Sequence, residues 1–385
     1  MNLQEIIFGA ILLWLSGSAL YVFIYAISGY LYKVRTKLTL SNYPKCAVLI
    51  PAYKEDGVIY DSALSASLHI YKGDFDVIVI ADSLKKSTLL RLSHLNVKVV
   101  EVAFEKSTKS RAINKTLEVI GDDYDVAVVL DADNVMKKNF LNEIGKSIIS
   151  GSKVVQGHRM AKNLDSNFAY LDAISEEVNN HIYSKGPVAL GLSSRIAGSG
   201  VGIEFSLFKE VMKSVDAIGG FDKELELKFI DKGYVIDYNH MAMVLDEKVK
   251  KPEVYQKQRT RWLSSQYFYL RVNALTAIKN LFSGKWDYFY KYLQLALPPR
   301  LFIPVLLMGC IFLSLFFANN VFMTISVIAF MLNVVAYLIA IPKDLFTSRL
   351  VAVSVDLFKA IFVTLLAMLN LKGANKKFIH TPHSN

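Results

Sequence analysis

Two aspartates spaced two apart, Asp131 and Asp133, follow the apolar run Val126-Ala127-Val128-Val129-Leu130. Just past a strand, both can turn oxygen ligands toward one hard cation, Mg2+ or Mn2+. Such a cation would bridge diphosphate oxygens and offset the charge that develops as a leaving group departs. Acidic residues close two other runs of the same kind, in Pro51-Ala52-Tyr53-Lys54-Glu55 and in Asp82-Ser83. A further cluster, Gln258-Arg259-Thr260-Arg261-Trp262, sets an arginine beside an aromatic with a glutamine one helical turn away. That grouping suits a diphosphate flanked by a stacking surface. Each motif also has an ordinary reading, a solvated Asx-capped turn for the first and a headgroup contact for the second. The strand before Asp131 is what favours a metal.

The elements that would position these residues are short β-branched runs at 46–50, 76–81, 97–102 and 125–130, which read as buried strands. Helical spacing at 109–120 and 139–149 falls between or after them. Alternating strands and helices predict a mostly parallel, Rossmann-like sheet covered on both faces. In such sheets ligands sit at the carboxyl ends of the strands, so the acidic termini would converge on one rim.

The chain has 385 residues, of which 53% are hydrophobic and 20% charged, with a net charge of +10. That balance suits lipid headgroups or a phosphorylated substrate. Nucleic acid is excluded as a partner, since much of the excess lies at juxtamembrane and phosphate-site positions. Cys46 and Cys310 both lie in apolar runs, which excludes a disulfide framework and a zinc site. Residues 6–32 carry no charge and exceed the roughly 20 needed to cross a bilayer. Glu5 precedes them and Lys33, Arg35 and Lys37 follow, which predicts a retained anchor with everything after Lys33 cytosolic. Residues 301–341 are long enough for two more spans, turning at Ala318-Asn319-Asn320. Residues 286–297 mix aromatic rings with Lys285 and Lys291, as in a helix lying flat on headgroups with snorkelling lysines. In 350–371, Asp356 and Lys359 share a helical face and can neutralise each other. That segment is either a third C-terminal span or a shallow helix, and Lys372, Lys376 and Lys377 beyond it prefer the cytosol.

Together these residues resemble the membrane-bound family 2 glycosyltransferases, the group of cellulose and hyaluronan synthases. The resemblance covers roughly residues 1–300, with the elements in the family's order: Val48 to Glu55, Ile80-Ala81-Asp82-Ser83, Lys109-Ser110-Arg111-Ala112-Ile113-Asn114, Asp131-Ala132-Asp133, Gly198-Ser199-Gly200 and Gln258-x-x-Arg261-Trp262. It implies an α/β GT-A domain (residues 38–275) between an anchor (1–37), an interfacial amphipathic helix (276–300) and a membrane region (301–385) of two to three helices. It implies an inverting transfer from a nucleotide-sugar, a UDP-sugar, to a glycan or lipid-linked acceptor at the cytosolic face of the inner membrane. Ala52, Tyr53, Glu55, Asp82 and Lys109 would hold the nucleoside. Asp131 would meet the diphosphate and, with Asp133, the metal. Gln258, Arg261 and Trp262 would close over the pyrophosphate.

One departure bears on the base. Where the family has a Glu-Asp pair after a Gly-Gly-aromatic turn, Gly219-Gly220-Phe221 runs straight into Asp222-Lys223-Glu224. Asp222 is the favoured base and Glu224 the alternative. Gln156-Gly157-His158-Arg159 reads as structural, and Lys248, Lys250, Lys251 and Lys257 as a solvated or headgroup-facing basic face. Polymer extension, a single addition onto a polyprenyl-type lipid, and non-catalytic binding of nucleotide or glycan all remain open. So does pairing of two copies to enclose a pore.

Overall fold

A computed structural model describes residues 3–34, 42–250 and 252–371; Arg35, Lys37, Lys251 and the lysines from 372 onward lie outside the described residues. The chain begins with α1 (Leu3–Ser28) and enters β1 (Cys46–Tyr53), α2 (Ile59–Ser67), β2 (Phe75–Asp82), α3 (Lys86–Leu92) and β3 (Lys98–Val102). There follow α4 (Lys109–Val119), β4 (Val126–Val129), β5 (Val135–Met136), α5 (Phe140–Ile149), β6 (Val154–Ala161), α6 (Asn167–Asn180) and α7 (Gly186–Ala189). The domain closes with β7 (Val201–Glu204), α8 (Phe205–Met212), α9 (Phe221–Asp231), β8 (Ile236–Asp246) and α10 (Pro252–Val272). Beyond it come α11 (Ala274–Phe282), α12 (Trp286–Ala296), α13 (Phe302–Phe316), α14 (Asn320–Ala340), α15 (Ser348–Ala352) and α16 (Ser354–Leu369).

The strands expected from the four apolar runs are β1 to β4, and α4 and α5 are the expected helices. Side chains of β1 alternate between the two faces. Ala47 and Leu49 enter one core with Ile78, Ile80, Ala127 and Val129. Cys46, Val48 and Ile50 enter the other with Val77, Val79, Val126 and Val128. A strand buried on both faces needs apolar residues at every position, and this is why the runs were visible. Helix α4 starts where Thr108 caps it, its hydroxyl accepting from Arg111 N at 3.2 Å.

The sheet order is β3-β2-β1-β4-β7-β6-β8-β5. Pairs among β1, β2, β3 and β4 are parallel, as is β6 with β8. Strand β7, however, runs antiparallel to both β4 and β6, and β5 antiparallel to β8. Six of the eight strands therefore run the same way, so the sheet is mostly parallel as expected but mixed, with β5 and, inside the sheet, β7 reversed. The reversal of β7 is forced by the path of the chain, which returns along α6 and α7 to the rim and enters β7 from that end. Gly200 at this entry has φ +67°, and a Cβ there would lie 2.6 Å from Val244 Cγ1; only glycine fits.

Among the described residues, α1 (with the short turn ending at Leu31) and α14 are long and apolar enough to cross a membrane. Helix α13, expected as a full span, has 15 residues, short of the roughly 20 a bilayer core requires. Small residues on α1 and α14 are buried where the helices meet, Ala19 and Ala26 on the one and Ala329 and Ala336 on the other. The turn between α13 and α14 falls where expected, with Asn319 capping α14 by accepting from Val321 N and Phe322 N. Helix α16 has 16 residues, fewer than the roughly 20 of a full crossing. It packs against α10 and α6, with Asp356 paired to Lys359 at 2.8 Å and accepting from Asn167 Nδ2 at 2.7 Å.

Residues 276–300 hold most of α11 and all of α12, so two helices stand where one was expected. The snorkelling expected of Lys291 fails. It is 1% exposed and pairs with Glu226 of α9 at 3.5 Å, because α12 sits between α9 and α1 instead of lying on its own. Its Tyr288 belongs to the same core as the sheet, and its Tyr290 stacks on Tyr21 of α1.

Candidate active site

The ends of β1, β2 and β4 meet at one rim because the strands are parallel and in register, Tyr53 opposite Asp82 and Leu49 opposite Val129. Just beyond β1 and β2, Lys54 and Ser83 both adopt left-handed conformations, φ +58° and +59°. Non-glycine residues take that conformation at a cost, and here it turns the chain sharply as it leaves each strand. The rim opens into a cavity of about 470 Å3 lined by Ala52, Tyr53, Glu55, Asp82, Lys109, Asp131, Asp133, Asp222, Gln258, Arg261 and Trp262. Every residue expected at the site lines it except Glu224.

Asp82 is 2% exposed. Its Oδ1 accepts from Ser83 Oγ at 3.0 Å and Ser107 Oγ at 3.1 Å. Its Oδ2 is buried with no partner among the described residues. Burial pushes this carboxyl up, against the two serine hydroxyls and Lys54. A buried, unpaired acceptor is costly unless a ligand supplies the donor. Gln258 Oε1 on α10 is buried and unpartnered in the same way.

Asp131 and Asp133 are set by Asn134. Its Oδ1 accepts from Asp131 N at 3.0 Å, while its Nδ2 donates to Asp133 Oδ1 and to Asp246 Oδ1, both at 3.2 Å. Asp133 Oδ2 accepts from Glu247 N at 3.1 Å. Lys109, expected at the nucleoside, places its ammonium 2.5 Å from Asp131 Oδ1 and 2.8 Å from Gly198 O. Burial pushes the Asp131 carboxyl up, but Lys109 and Arg159 outweigh it and hold it below the usual range. Among the described residues no cluster of three or more His, Cys, Asp or Glu side chains could hold a metal. Two carboxylates still fit Mg2+ or Mn2+, which complete their shells with substrate phosphates and water.

Behind these lies a charged wall that the sequence did not reveal. Asp246, at the end of β8, pairs with Arg159 at 2.7 Å and Lys248 at 2.8 Å. Glu176 of α6 pairs with Arg195 and, at 3.6 Å, with Lys248. Burial alone would raise Asp246, but Arg159 and Lys248 hold it down to about 2. Lys248, expected on a solvated face, is 2% exposed; Lys250 and Lys257 are on the outside as expected, Lys250 paired with Asp165 at 2.7 Å. Gln156 and His158 are structural, binding Ala197 N and Glu177, whereas Arg159 also lines the cavity.

On α10, Arg261 feels burial, which lowers it, opposed by the Asp131 and Asp222 carboxylates. The ring of Trp262 stacks with a neighbouring guanidinium, Arg259, at 4.6 Å. Arg259 also pairs with Asp172 of α6 at 2.7 Å. The first turn of α9 separates the two candidate bases. Gly220 starts it at φ +73°, where a Cβ would meet Ser265 Cβ at 2.7 Å. Asp222 then faces the cavity. Glu224 accepts from Tyr269 Oη at 2.8 Å and Asp216 N at 3.4 Å.

The glycosyltransferase like family 2 pattern matches residues 44–265. The Bacillus subtilis (strain 168) protein called "Probable glycosyltransferase YdaM" is 25% identical over 248 residues, 60% of this chain and 58% of that protein. The chain thus spans little more than half the length of that relative. The fold resembles a mannosyltransferase of Pyrobaculum calidifontis solved with GDP-mannose and Mn2+, at a TM-score of 0.50 and 15% identity over 86% of this chain and 97% of the other. The family match covers more than half of the sequence and contains the strand-end acids, Asp222 and the Gln258–Trp262 cluster, and on that ground the chain belongs to the glycosyltransferase like family 2.

Proposed function

We propose that this chain is an inverting, membrane-associated glycosyltransferase. It moves a sugar from a nucleotide-sugar, a UDP-sugar, to a glycan or lipid-linked acceptor. One observation supports this above the others: the acids at three strand ends share a cavity with Asp222 and with the polar face of α10. Asp82 and Glu55, with Ala52 and Tyr53, hold the nucleoside, Asp82 Oδ2 being the acceptor for its donors, and Lys109, tied to Asp131, stands on the diphosphate side of it. Gln258, Arg261 and Trp262 close over the diphosphate. Asp131 and Asp133 hold Mg2+ or Mn2+, which when bound offsets the diphosphate charge. Asp222 takes the acceptor hydroxyl's proton as its oxygen bonds to the anomeric carbon. The bond from that carbon to the diphosphate breaks, and the nucleoside diphosphate leaves with the electron pair.

The apolar helices α1 and α14 support transfer at a membrane surface, and the basic residues that follow α1 in the sequence support a cytosolic catalytic domain. A cysteine introduced at Lys85 should resist an impermeant label on intact cells, and ready labelling would overturn that orientation. The packing of α1, α13 and α14 into one buried apolar cluster favours a second reading, a single addition onto a polyprenyl-type lipid without a conduit through one copy. Release of nucleoside diphosphate by the purified chain against a panel of nucleotide-sugars tests the assignment, and product length separates the two readings. No release with any donor would refute the enzymatic reading.

A further inference from the structure

Arg195, Ala197 and Gly198 of the loop at residues 193–200 line the cavity, and the loop is held by several different elements. Ser193 N donates to Asp287 of α12 at 2.9 Å. Ile196 N donates to Glu226 Oε2 of α9 at 2.5 Å. Ala197 N donates to Gln156 Oε1 at 2.9 Å, and Gly198 O accepts from the same Lys109 ammonium that holds Asp131. The loop therefore runs from α12 at one end to the paired aspartates at the other.

Glu226 is the joint in this arrangement. It lies one helical turn beyond Asp222 on α9, so the two share a face. Its other oxygen, Oε1, is 3.5 Å from Lys291 Nζ, with side-chain exposures of 13% and 0%. Burial pushes Glu226 up and Lys291 down, and each opposes that shift in the other. A buried charge losing its partner is strongly destabilised, so the geometry around Glu226 depends on α12 staying docked. Helix α12 is itself seated on two sides. Tyr290 stacks on Tyr21 of α1 at 5.8 Å, and Gln266, a cavity-lining residue of α10, donates to Leu295 O and Leu297 O at 2.9 and 3.0 Å.

We propose that Glu226, held by Lys291, is a positioning residue for transfer: it locks loop 193–198 against the turn that carries Asp222, and so ties the seating of α12 on α1 to the alignment of acceptor and base. The proposal rests on the reading of Asp222 as the base. It takes no part in proton transfer and touches neither donor nor metal. Its loss should appear in kcat, while donor KM stays as it was.

The test uses the full chain in detergent or lipid, with the donor identified by the release panel. Lys291→Met leaves Glu226 buried and unmatched. It should lower kcat about tenfold or more with donor KM within about twofold, the pattern of an interaction expressed in the transition state. The double variant Glu226→Gln/Lys291→Met removes the uncompensated charge and keeps an amide oxygen for Ile196 N. It should recover kcat to within about threefold of the unaltered chain and exceed both single variants, since Glu226→Gln alone leaves Lys291 as the unmatched charge. This is the non-additivity expected of a coupled pair. An unchanged kcat in Lys291→Met would overturn the proposal. So would a double variant as impaired as the single one, with melting temperature falling in parallel, because that marks a merely structural tie. Where Lys291→Met does not fold, the comparison of the double variant with Glu226→Gln decides alone. Asp222→Asn separates the two layers. If it stays active while Lys291→Met still loses kcat, the base assignment falls and the positioning stands; the opposite result sinks the positioning only.

Discussion

The two walls of the cavity treat charge in opposite ways. At the rim of β1, β2 and α10, two acceptors, Asp82 Oδ2 and Gln258 Oε1, are buried without partners among the described residues. On the wall of α6, β6 and the end of β8, each carboxylate meets a cation: Asp246 with Arg159 and Lys248, Glu176 with Arg195, Asp172 with Arg259. An unpaired buried oxygen costs about 1–3 kcal/mol, and is sensibly retained where a ligand will pair it. The matched charges instead lock β8 to α6, and through Asn134 they fix where Asp133 points. The rim thus leaves acceptors unpaired, whereas the wall of matched charges leaves only the Nε donors of Arg159, Arg195 and Arg259 without partners among the described residues, its carboxylates all being met.

Substitutions should sort by wall. The largest loss is expected for Asp133→Asn, which removes an anionic ligand of the proposed metal site. Turnover should fall on the order of a thousandfold, the several kcal/mol a metal supplies, and chelator should do the same to the unaltered chain. Full activity in excess chelator would break the assignment of the rim to metal and diphosphate. Asp222→Asn should lower kcat about a hundredfold or more, the usual range for losing a general base, with nucleotide affinity nearly unchanged by calorimetry.

Lys248→Met tests the opposite wall, and stability is the readout. Leaving a buried charge unmatched costs about 3–5 kcal/mol; Asp246 keeps Arg159 and Glu176 keeps Arg195, so the loss should be smaller than that but measurable by denaturant unfolding. Its pH dependence has a definite sign. Asp246 is held down to about 2 against about 3.9 in an unfolded chain. Its contribution is therefore complete above about pH 4 and is lost as the pH falls toward 2. Without Lys248 the onset of acid unfolding should move to higher pH. An unmoved onset would show that the wall is not the stabilising scaffold described. The smallest effect belongs to Glu224→Gln, which weakens the bond from Tyr269 Oη. About 1 kcal/mol of stability should go, with kcat reduced far less than in Asp222→Asn. Were those two kinetic results reversed, Glu224 would be the base.

The same division explains what the sequence displayed. The strands at the rim are buried on both faces, so Val126 to Leu130 stands out as an unbroken apolar run, and the acids after it mark the site. Strand β7 has four residues behind a glycine-rich entry, too short to register as a run, and with it the reversal of the sheet was missed. Asp172 and Glu176 sit on a helix with polar spacing that reads as a solvated face, and nothing local distinguishes buried Lys248 from exposed Lys250. Lys291 beside four aromatic residues reads as a headgroup anchor until α9 is seen against it. Asp222 over Glu224 was legible only as a preference, since both occupy one helical turn and its rotation about the axis decides between them.

Tyr288 on α12 carries a consequence for how this protein can be divided. The family pattern ends at residue 265, and a soluble fragment cut near there would look complete by alignment. Yet Tyr288 is 1% exposed and is part of the sheet's own core, its hydroxyl bonded to Asn273 Oδ1 at 2.9 Å. A truncation before α12 would strip a large aromatic from that core and leave Glu226 facing a void. The smallest portable catalytic unit, for grafting onto another anchor or for expression without the apolar helices, therefore extends through Leu297.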